Sequence, residues 1–265
     1  MIFDTHAHYD DEAFGGDPGE CLTAAARAGI GAVINAATNY ETAVKSLALS
    51  RKYPHFYCVL GIHPEYAETY TPETLRKIEA LISSSPAVVG IGETGLDYHY
   101  LPKDDPEECS RIKQLQKENF TANIRLAERL SLPLVVHDRD AHRDTLALLR
   151  ETVTGKTEHV LHCYSGSAEL VRDFTALNFS FSVGGVLTFK NASRLVEAVK
   201  AMPRDRILLE TDCPYLAPEP CRGRRNDSSL LVYTARRLAE ILETSFEEIC
   251  RITTDNAFRI FGRLH

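Results

Sequence analysis

The sequence reads as one (β/α)8 barrel over residues 1–265, and three observations predict it. Eight short apolar runs recur along the chain, separated by stretches with helical apolar spacing, an alternation that implies a parallel sheet with crossover helices. Eight such units in 265 residues match the usual size of a closed barrel. The open alternative, a doubly wound sheet, lacks the glycine fingerprint G-x-G-x-x-G after its first strand.

The elements follow in order. A first strand is expected at 1–5, where Met1-Ile2-Phe3-Asp4-Thr5 runs straight into His6-Ala7-His8. The next runs fall at 32–35, 56–60 and 88–91, the last of them ending before Gly92 and Gly95. The remaining four fall at 134–136, 159–161, 179–183 and 207–209. Helical stripes lie between strands, for example Phe120, Ile124, Ala127 and Leu130, or Leu195, Val196 and Val199. Two more helices, at 230–242 and 246–261, are expected to complete the outer ring. No low-complexity linker or composition break divides the chain, so a single domain is expected.

Composition narrows the function. A hydrophobic share of 44% suits a globular enzyme with a large core. No apolar run reaches the length of a membrane span, and Met1-Ile2-Phe3-Asp4 lacks the charged start and apolar core of a signal peptide. The expectation is therefore a soluble, cytoplasmic protein that uses no membrane and shows no obligate protein partner. The seven cysteines are scattered, with no Cys-x-x-Cys, which points to reduced thiols and against a zinc knuckle. A net charge of −7 argues against the broad basic surface that grips duplex nucleic acid. A polyanionic substrate stays admissible, because two divalent cations add about four local positive charges to a cleft.

The strand ends carry the chemistry. His6 and His8 are two apart after an apolar run, so on an extended chain they share a face and can clamp a divalent ion. In a barrel the active site is built at the strands' carboxyl ends. There the sequence places Gly61-Ile62-His63-Pro64, Gly92-Glu93-Thr94-Gly95-Leu96-Asp97-Tyr98, His137, His162-Cys163-Tyr164-Ser165-Gly166 and Glu210-Thr211-Asp212-Cys213-Pro214. Singly each has a bland explanation: a core histidine for His137 or His162, a helix cap for Asp212, a loop hydrogen bond for His63. Together, four imidazoles and two carboxylates exceed what one catalytic metal needs and suit two. Glu93 is expected to bridge, with His6, His8 and Asp212 on one side and His137 and His162 on the other. His63 is left as either a ligand or a donor to substrate phosphate. One or two divalent ions of Mg, Mn or Zn type are expected, activating a water and splitting a phosphoester into an alcohol and a phosphate.

These segments, with Asp4-Thr5-His6-Ala7-His8, Leu132-Pro133-Leu134-Val135-Val136-His137, Tyr215-Leu216, Arg222-Gly223 with Asn226 and the late Asp255-Asn256-Ala257, resemble the TatD-type metal-dependent deoxyribonucleases of the amidohydrolase superfamily. The resemblance spans essentially the whole chain in order. It implies a metal-dependent nuclease on DNA, often cutting from a strand end, with metal ligands His6, His8, Glu93, His137, His162 and Asp212. It further implies that Asp212 takes the proton of the attacking water, and that Glu93 fills the place of the carboxylated lysine of other amidohydrolases. Two loops depart from the family pattern. After Asp97-Tyr98 the chain continues through His99 and Tyr100 into the acidic 101–106 stretch, and Asn226-Asp227-Ser228 replaces Asn-Glu-Pro.

Both loops border the expected site, so substrate contacts are less firmly read than the ligands. Arg222, in the positively charged Arg222-Gly223-Arg224-Arg225-Asn226, and Arg139 are candidates to grip phosphates, although Arg222 and Asn226 serve equally as loop anchors. Tyr164 or Tyr98 can stack a base or sit buried with a satisfied hydroxyl. Single-stranded DNA is the expected substrate, because a narrow mouth on an acidic protein suits it better than a duplex. Two other readings stay open: hydrolysis of another ester or amide, such as an aminoacyl ester on RNA, and a metal-binding scaffold without turnover.

Overall fold

The computed structural model describes residues 1–264, and it contains eight parallel strands in one sheet whose order follows the sequence. The strands are β1 (Ile2–Ala7), β2 (Ile30–Ala36), β3 (Phe56–Leu60), β4 (Val88–Asp97), β5 (Leu134–Arg139), β6 (His159–Leu161), β7 (Phe179–Val183) and β8 (Ile207–Leu209). The first and last edges meet at a parallel bridge between Ala7 and Cys213. Two backbone bonds fasten it: the Asp212 amide donates to the His6 carbonyl at 2.9 Å, and the His8 amide to the Cys213 carbonyl at 2.8 Å. The nearly closed (β/α)8 barrel therefore joins exactly where its first and eighth strands present side chains to the mouth.

Helices α1 (Gly19–Arg27), α2 (Tyr40–Lys52), α3 (Pro72–Ser83), α4 (Pro106–Leu130), α5 (His142–Thr152), α6 (Ala168–Ala176) and α7 (Ser193–Ala201) connect the strands, and α8 (Leu231–Ile241) and α9 (Phe246–Ile260) follow β8. Three carry strong start signals: Asn39 forms a capping box with Thr42, while Thr71 and Asp105 each cap a helix with proline in its first turn. Among the described residues, no helix is long and apolar enough to cross a membrane.

The core has two layers. The larger one lies between sheet and helices and includes Leu60, Ile91, Phe120, Leu134, Phe174 and Leu209. The second joins Phe3, Ile34, Val59, Val89, Val135, Val160 and Leu208 to Ala257, Ile260, Phe261 and Leu264. Val135, Val160 and Leu208 precede His137, His162 and Glu210 by two residues, so on alternating strands they share the inward face and form the barrel's filling beneath the mouth. The end of α9 thus corrects one expectation. Its last turn packs into this filling rather than only joining the outer ring.

A second correction concerns β4, which runs six residues past its expected end at Ile91 and carries Glu93 within the strand. At Gly95, with φ +148°, β4 passes so close to β5 that a Cβ would collide with the His137 carbonyl oxygen. Glycine there marks a close approach of two backbones, not a turn.

Candidate metal centre

Five of the six expected ligands, together with His63, meet at the mouth around the sixth, Glu93. Its carboxylate is 2% exposed, and its two oxygens divide the imidazoles between them. Oε2 lies 3.2 Å from His6 Nε2 and 3.5 Å from His8 Nε2. Oε1 lies 2.8 Å from His162 Nε2, 2.9 Å from His137 Nδ1 and 3.4 Å from His63 Nε2. Asp212 Oδ1 completes the first side, 3.3 Å from His8 Nε2 and 3.8 Å from His6 Nε2. Asp212 has φ +56°, a left-handed conformation that aspartate tolerates better than most residues, and the hydrogen bond its N–H donates to the His6 carbonyl fixes it there.

What lies behind each ring decides which nitrogen faces the centre with a lone pair. His8 donates its Nδ1–H to the Ala36 carbonyl at 2.9 Å, leaving Nε2 as a base. His137 is reversed: Nε2 meets the Asp97 carboxylate at 2.9 Å, and Nδ1 is the inward nitrogen. His162 stacks on His6 with centroids 3.9 Å apart, and its Nδ1 lies 3.8 Å from Glu210 Oε1. His63 differs from the rest. Its Nδ1 accepts the Glu65 amide hydrogen at 3.2 Å, so the neutral ring carries its proton on Nε2 and offers a donor. A purely geometric grouping places His63 with Glu93 and His137 among possible ligands. The Glu65 amide argues otherwise, because a ring that accepts at Nδ1 has no free lone pair at Nε2.

The donor set fits divalent metal. The inward nitrogens of His6 and His8 face each other at 3.2 Å, and those of His137 and His162 at 3.1 Å. At that separation two lone pairs repel unless a proton or a cation lies between them. The groups His6, His8, Glu93 and His6, His162, Asp212 each bring three ligand atoms within 4.8 Å of one another. His6 Nδ1, His162 Nδ1 and Glu210 Oε2 are buried without a hydrogen-bond partner.

Electrostatics shows the same demand for positive charge. Burial pushes the Glu93 carboxyl up, but His162, His63 and His6 together hold it well below its ordinary range. Burial opposes protonation of His8, yet the Asp212 hydrogen bond and the Glu93 charge raise it to about 9. His162 is raised against burial by Glu93 and Glu210, and His137 by Asp97 and Glu93. Burial lowers His6 and His63, with neighbouring imidazoles adding to it. The cluster gathers protons where a cation would replace them.

Beneath it lies a carboxylate that sequence reasoning gave no role. Asp4 is fully buried, accepts from the Thr211 amide at 2.9 Å, Thr211 Oγ1 at 2.6 Å and Ser228 Oγ at 2.6 Å, and so ties β1 to the segment bearing Asp212. Asp97 and Glu210 were equally unassigned. Glu210 Oε1 accepts the Cys163 amide at 2.6 Å, fixing the chain just after His162. Parity offers a signal for Glu210, two residues before Asp212, but not for Asp4, because the pairing of β1 with β2 shifts register between Asp4 and Ala7.

The expected substrate contacts scatter. Arg139 is at the end of β5 beside Tyr100, and exposed Arg222 lies over the Phe189 ring at 4.3 Å. The stacking role expected for Tyr164 is corrected: the side chain is 5% exposed, packs on Phe181 and donates to the Ser167 carbonyl at 2.7 Å, leaving no face for a base. Tyr98 is likewise committed, donating to Asp144 at 2.9 Å under Lys113. Arg225 donates to the Ala13 carbonyl and Asn226 to those of Thr211 and Tyr215, so these two anchor their loop.

A parallel barrel that collects inward imidazoles and carboxylates at its strand ends is the architecture of a metal-dependent hydrolase. The chain belongs to the TatD-related DNase family, whose model matches residues 3–262. It is 40% identical over 263 residues to the Bacillus subtilis protein YabD, described as an uncharacterized metal-dependent hydrolase, covering 98% of this chain and 99% of that one. It is 31% identical over 265 residues to a protein of Cronobacter turicensis named 3'-5' ssDNA/RNA exonuclease TatD, covering 98% and 97%. The crystal structure of the Escherichia coli TatD homologue YjjV superposes with a TM-score of 0.89 at 30% identity, covering 98% of both chains.

Proposed function

We propose that this protein hydrolyses phosphodiester bonds in single-stranded DNA from a strand end, using one or two divalent ions held by His6, His8, Glu93, His137, His162 and Asp212. The observation that carries the reading is the division of four imidazoles between the two oxygens of one buried carboxylate, Glu93. The family and the exonuclease relative support the nucleic-acid substrate. Arg139 and Arg222 add to that support, since each rests on an aromatic ring rather than on a carboxylate.

When bound, such ions supply Lewis acidity and lower the pKa of a water. The protein's own groups do the rest. Asp212 Oδ1, at the open side of the cluster, accepts a proton from the attacking water. His63 donates Nε2–H to a phosphate oxygen, and Glu93 holds the two halves of the site in one geometry. Asp97 keeps the Nδ1 of His137 inward by taking the hydrogen of its Nε2.

The test is a demetallated sample offered single-stranded DNA labelled separately at each end, before and after Mg²⁺ or Mn²⁺ is restored. Cleavage is expected to return with the ion, and Asp212→Asn to lower kcat by about 10³-fold. No cleavage, or cleavage indifferent to Asp212→Asn, overturns the proposal. Turnover of aminoacyl-RNA in place of DNA would redirect it to a carbonyl ester.

A further inference from the structure

The mouth of the barrel holds a guanidinium, that of Arg139, whose charge acts on Asp97 without a direct ion pair to it. Arg139 stands two residues beyond His137 on β5, on the same strand face, and pairs in register with Asp97. Its guanidinium lies over Tyr100 at 5.0 Å from the centroid, with Nη1 3.4 Å from the phenol oxygen. Among the described residues it forms no ion pair. Tyr100 is 67% exposed, more than any other tyrosine or phenylalanine described. It is nonetheless positioned: His99 meets its ring edge-on at 4.8 Å, and Asp140 holds His99 at 2.8 Å.

Three neighbouring acidic residues face other duties. Asp105 accepts the Glu108 amide as the cap of α4, and Glu108 with Glu68 is taken up by Arg111. What remains at the lip of β4 and β5 is a ring positioned by a guanidinium and an imidazole and still 67% exposed. An exposed tyrosine gains little from burial there, and ordering both side chains costs conformational entropy. The arrangement suits a ligand with an anionic group and a flat face.

We propose that Arg139 and Tyr100 form a nucleotide subsite next to the ligand cluster. Arg139 takes a phosphate flanking the one to which His63 donates, and Tyr100 stacks the base of that nucleotide. The two-residue step from His137 to Arg139 rises about 6.6 Å along the strand, close to the spacing of successive phosphates in an extended single strand. A base can reach Tyr100 only when it is unpaired and splayed from its neighbours, so the subsite selects single strands with little regard to sequence. The inference rests on the nuclease reading and assigns the residues that choose its substrate.

The test is steady-state cleavage of a short oligodeoxynucleotide by the Mn²⁺-loaded protein. Tyr100→Ala is expected to raise KM about tenfold, the scale of one base lost from an aromatic face, with kcat within about threefold. Tyr100→Phe restores KM, and the penalty of Tyr100→Ala vanishes on a substrate made abasic at the flanking nucleotide. Arg139→Ala raises KM for both substrates and reduces the salt slope of binding by about one. If the wild type cleaves DNA and Tyr100→Ala matches it in KM, or loses kcat alone, the subsite is wrong while the nuclease reading stands. If the wild type cleaves no DNA, both fall.

Discussion

The carboxyl ends of β1 and β3 each present a buried imidazole to the same carboxylate, and one backbone contact makes the two rings different reagents. His8 and His63 are similarly enclosed, at 9% and 7% exposure. Behind His8 is a carbonyl of β2, so Nδ1 must donate and Nε2 faces inward as a base. Behind His63 is the amide of Glu65, so Nδ1 must accept and Nε2 faces inward with a hydrogen. The difference follows from local backbone. A strand end offers carbonyls to its neighbour, whereas the first turn of a helix has spare amides, and His63 is the cap of the short turn Pro64–Thr69. An imidazole at a metal centre is therefore assigned by what stands behind it, not by its distance to the cation site.

The sharpest way to break that comparison is to delete the two rings in turn. His8→Ala is expected to weaken metal binding by more than about 100-fold, since even indirect partners of a ligand carry 10–100-fold. His63→Ala is expected to keep metal content and affinity while lowering kcat by about 10²-fold, as for loss of one donor to a developing anion. Metal analysis of the purified variants, with a binding titration, separates the two. Equal metal loss from both would return His63 to the ligands.

A smaller effect is expected from the partner of a ring rather than the ring itself. Asp97 fixes His137 with Nδ1 inward, and it is itself held, with its amide donating to Gln116 Oε1 at 3.0 Å. Asp97→Asn keeps the shape but loses the charge that makes His137 a stronger base. A tenfold to roughly 100-fold fall in metal affinity is the expected result, with the fold intact by circular dichroism. An unchanged affinity would mean that the carboxylate behind His137 does less than the carbonyl behind His8.

The sequence made the ligand layer legible and hid its supports, for identifiable reasons. His6, His8, Glu93, His137, His162 and Asp212 stand out because charged and imidazole groups directly after apolar runs are rare unless used. A strand that ends at Ile91, before Gly92 and Gly95, leaves Asp97 in the following segment without a role. In the fold, pairing to β5 carries the strand through both, and the register reaches Asp97 opposite Arg139. Asp4 and Glu210 act across long sequence separations, Asp4 on Thr211 and Ser228 and Glu210 on Cys163, which no local pattern reports. The proton placement of His63 depends on a backbone amide, which has no side-chain signature at all. Tyr164 failed as a stacking candidate because position after β6 did not reveal that its ring turns onto Phe181.

The smallest expected effect comes from an imidazole bonded to a carboxylate of β5, which serves as the contrast to both rings. His142, at the start of α5, bonds through Nδ1 to Asp138 Oδ2 at 2.8 Å, and that hydrogen bond raises its pKa above the ordinary histidine value. Among the described residues no backbone amide or carbonyl bonds this ring, so it titrates. A histidine whose folded pKa is raised stabilises the folded state fully below its unfolded value near 6.5, and the contribution is lost as pH rises through the folded value. Thermal melts of the wild type and His142→Gln at about pH 6 and about pH 8 should therefore converge as pH rises, with the wild type losing about 2 °C more. If the gap is constant across that range, Asp138 holds His142 in one protonation state as firmly as Ala36 and Glu65 hold theirs, and a carboxylate partner is no freer than a backbone one.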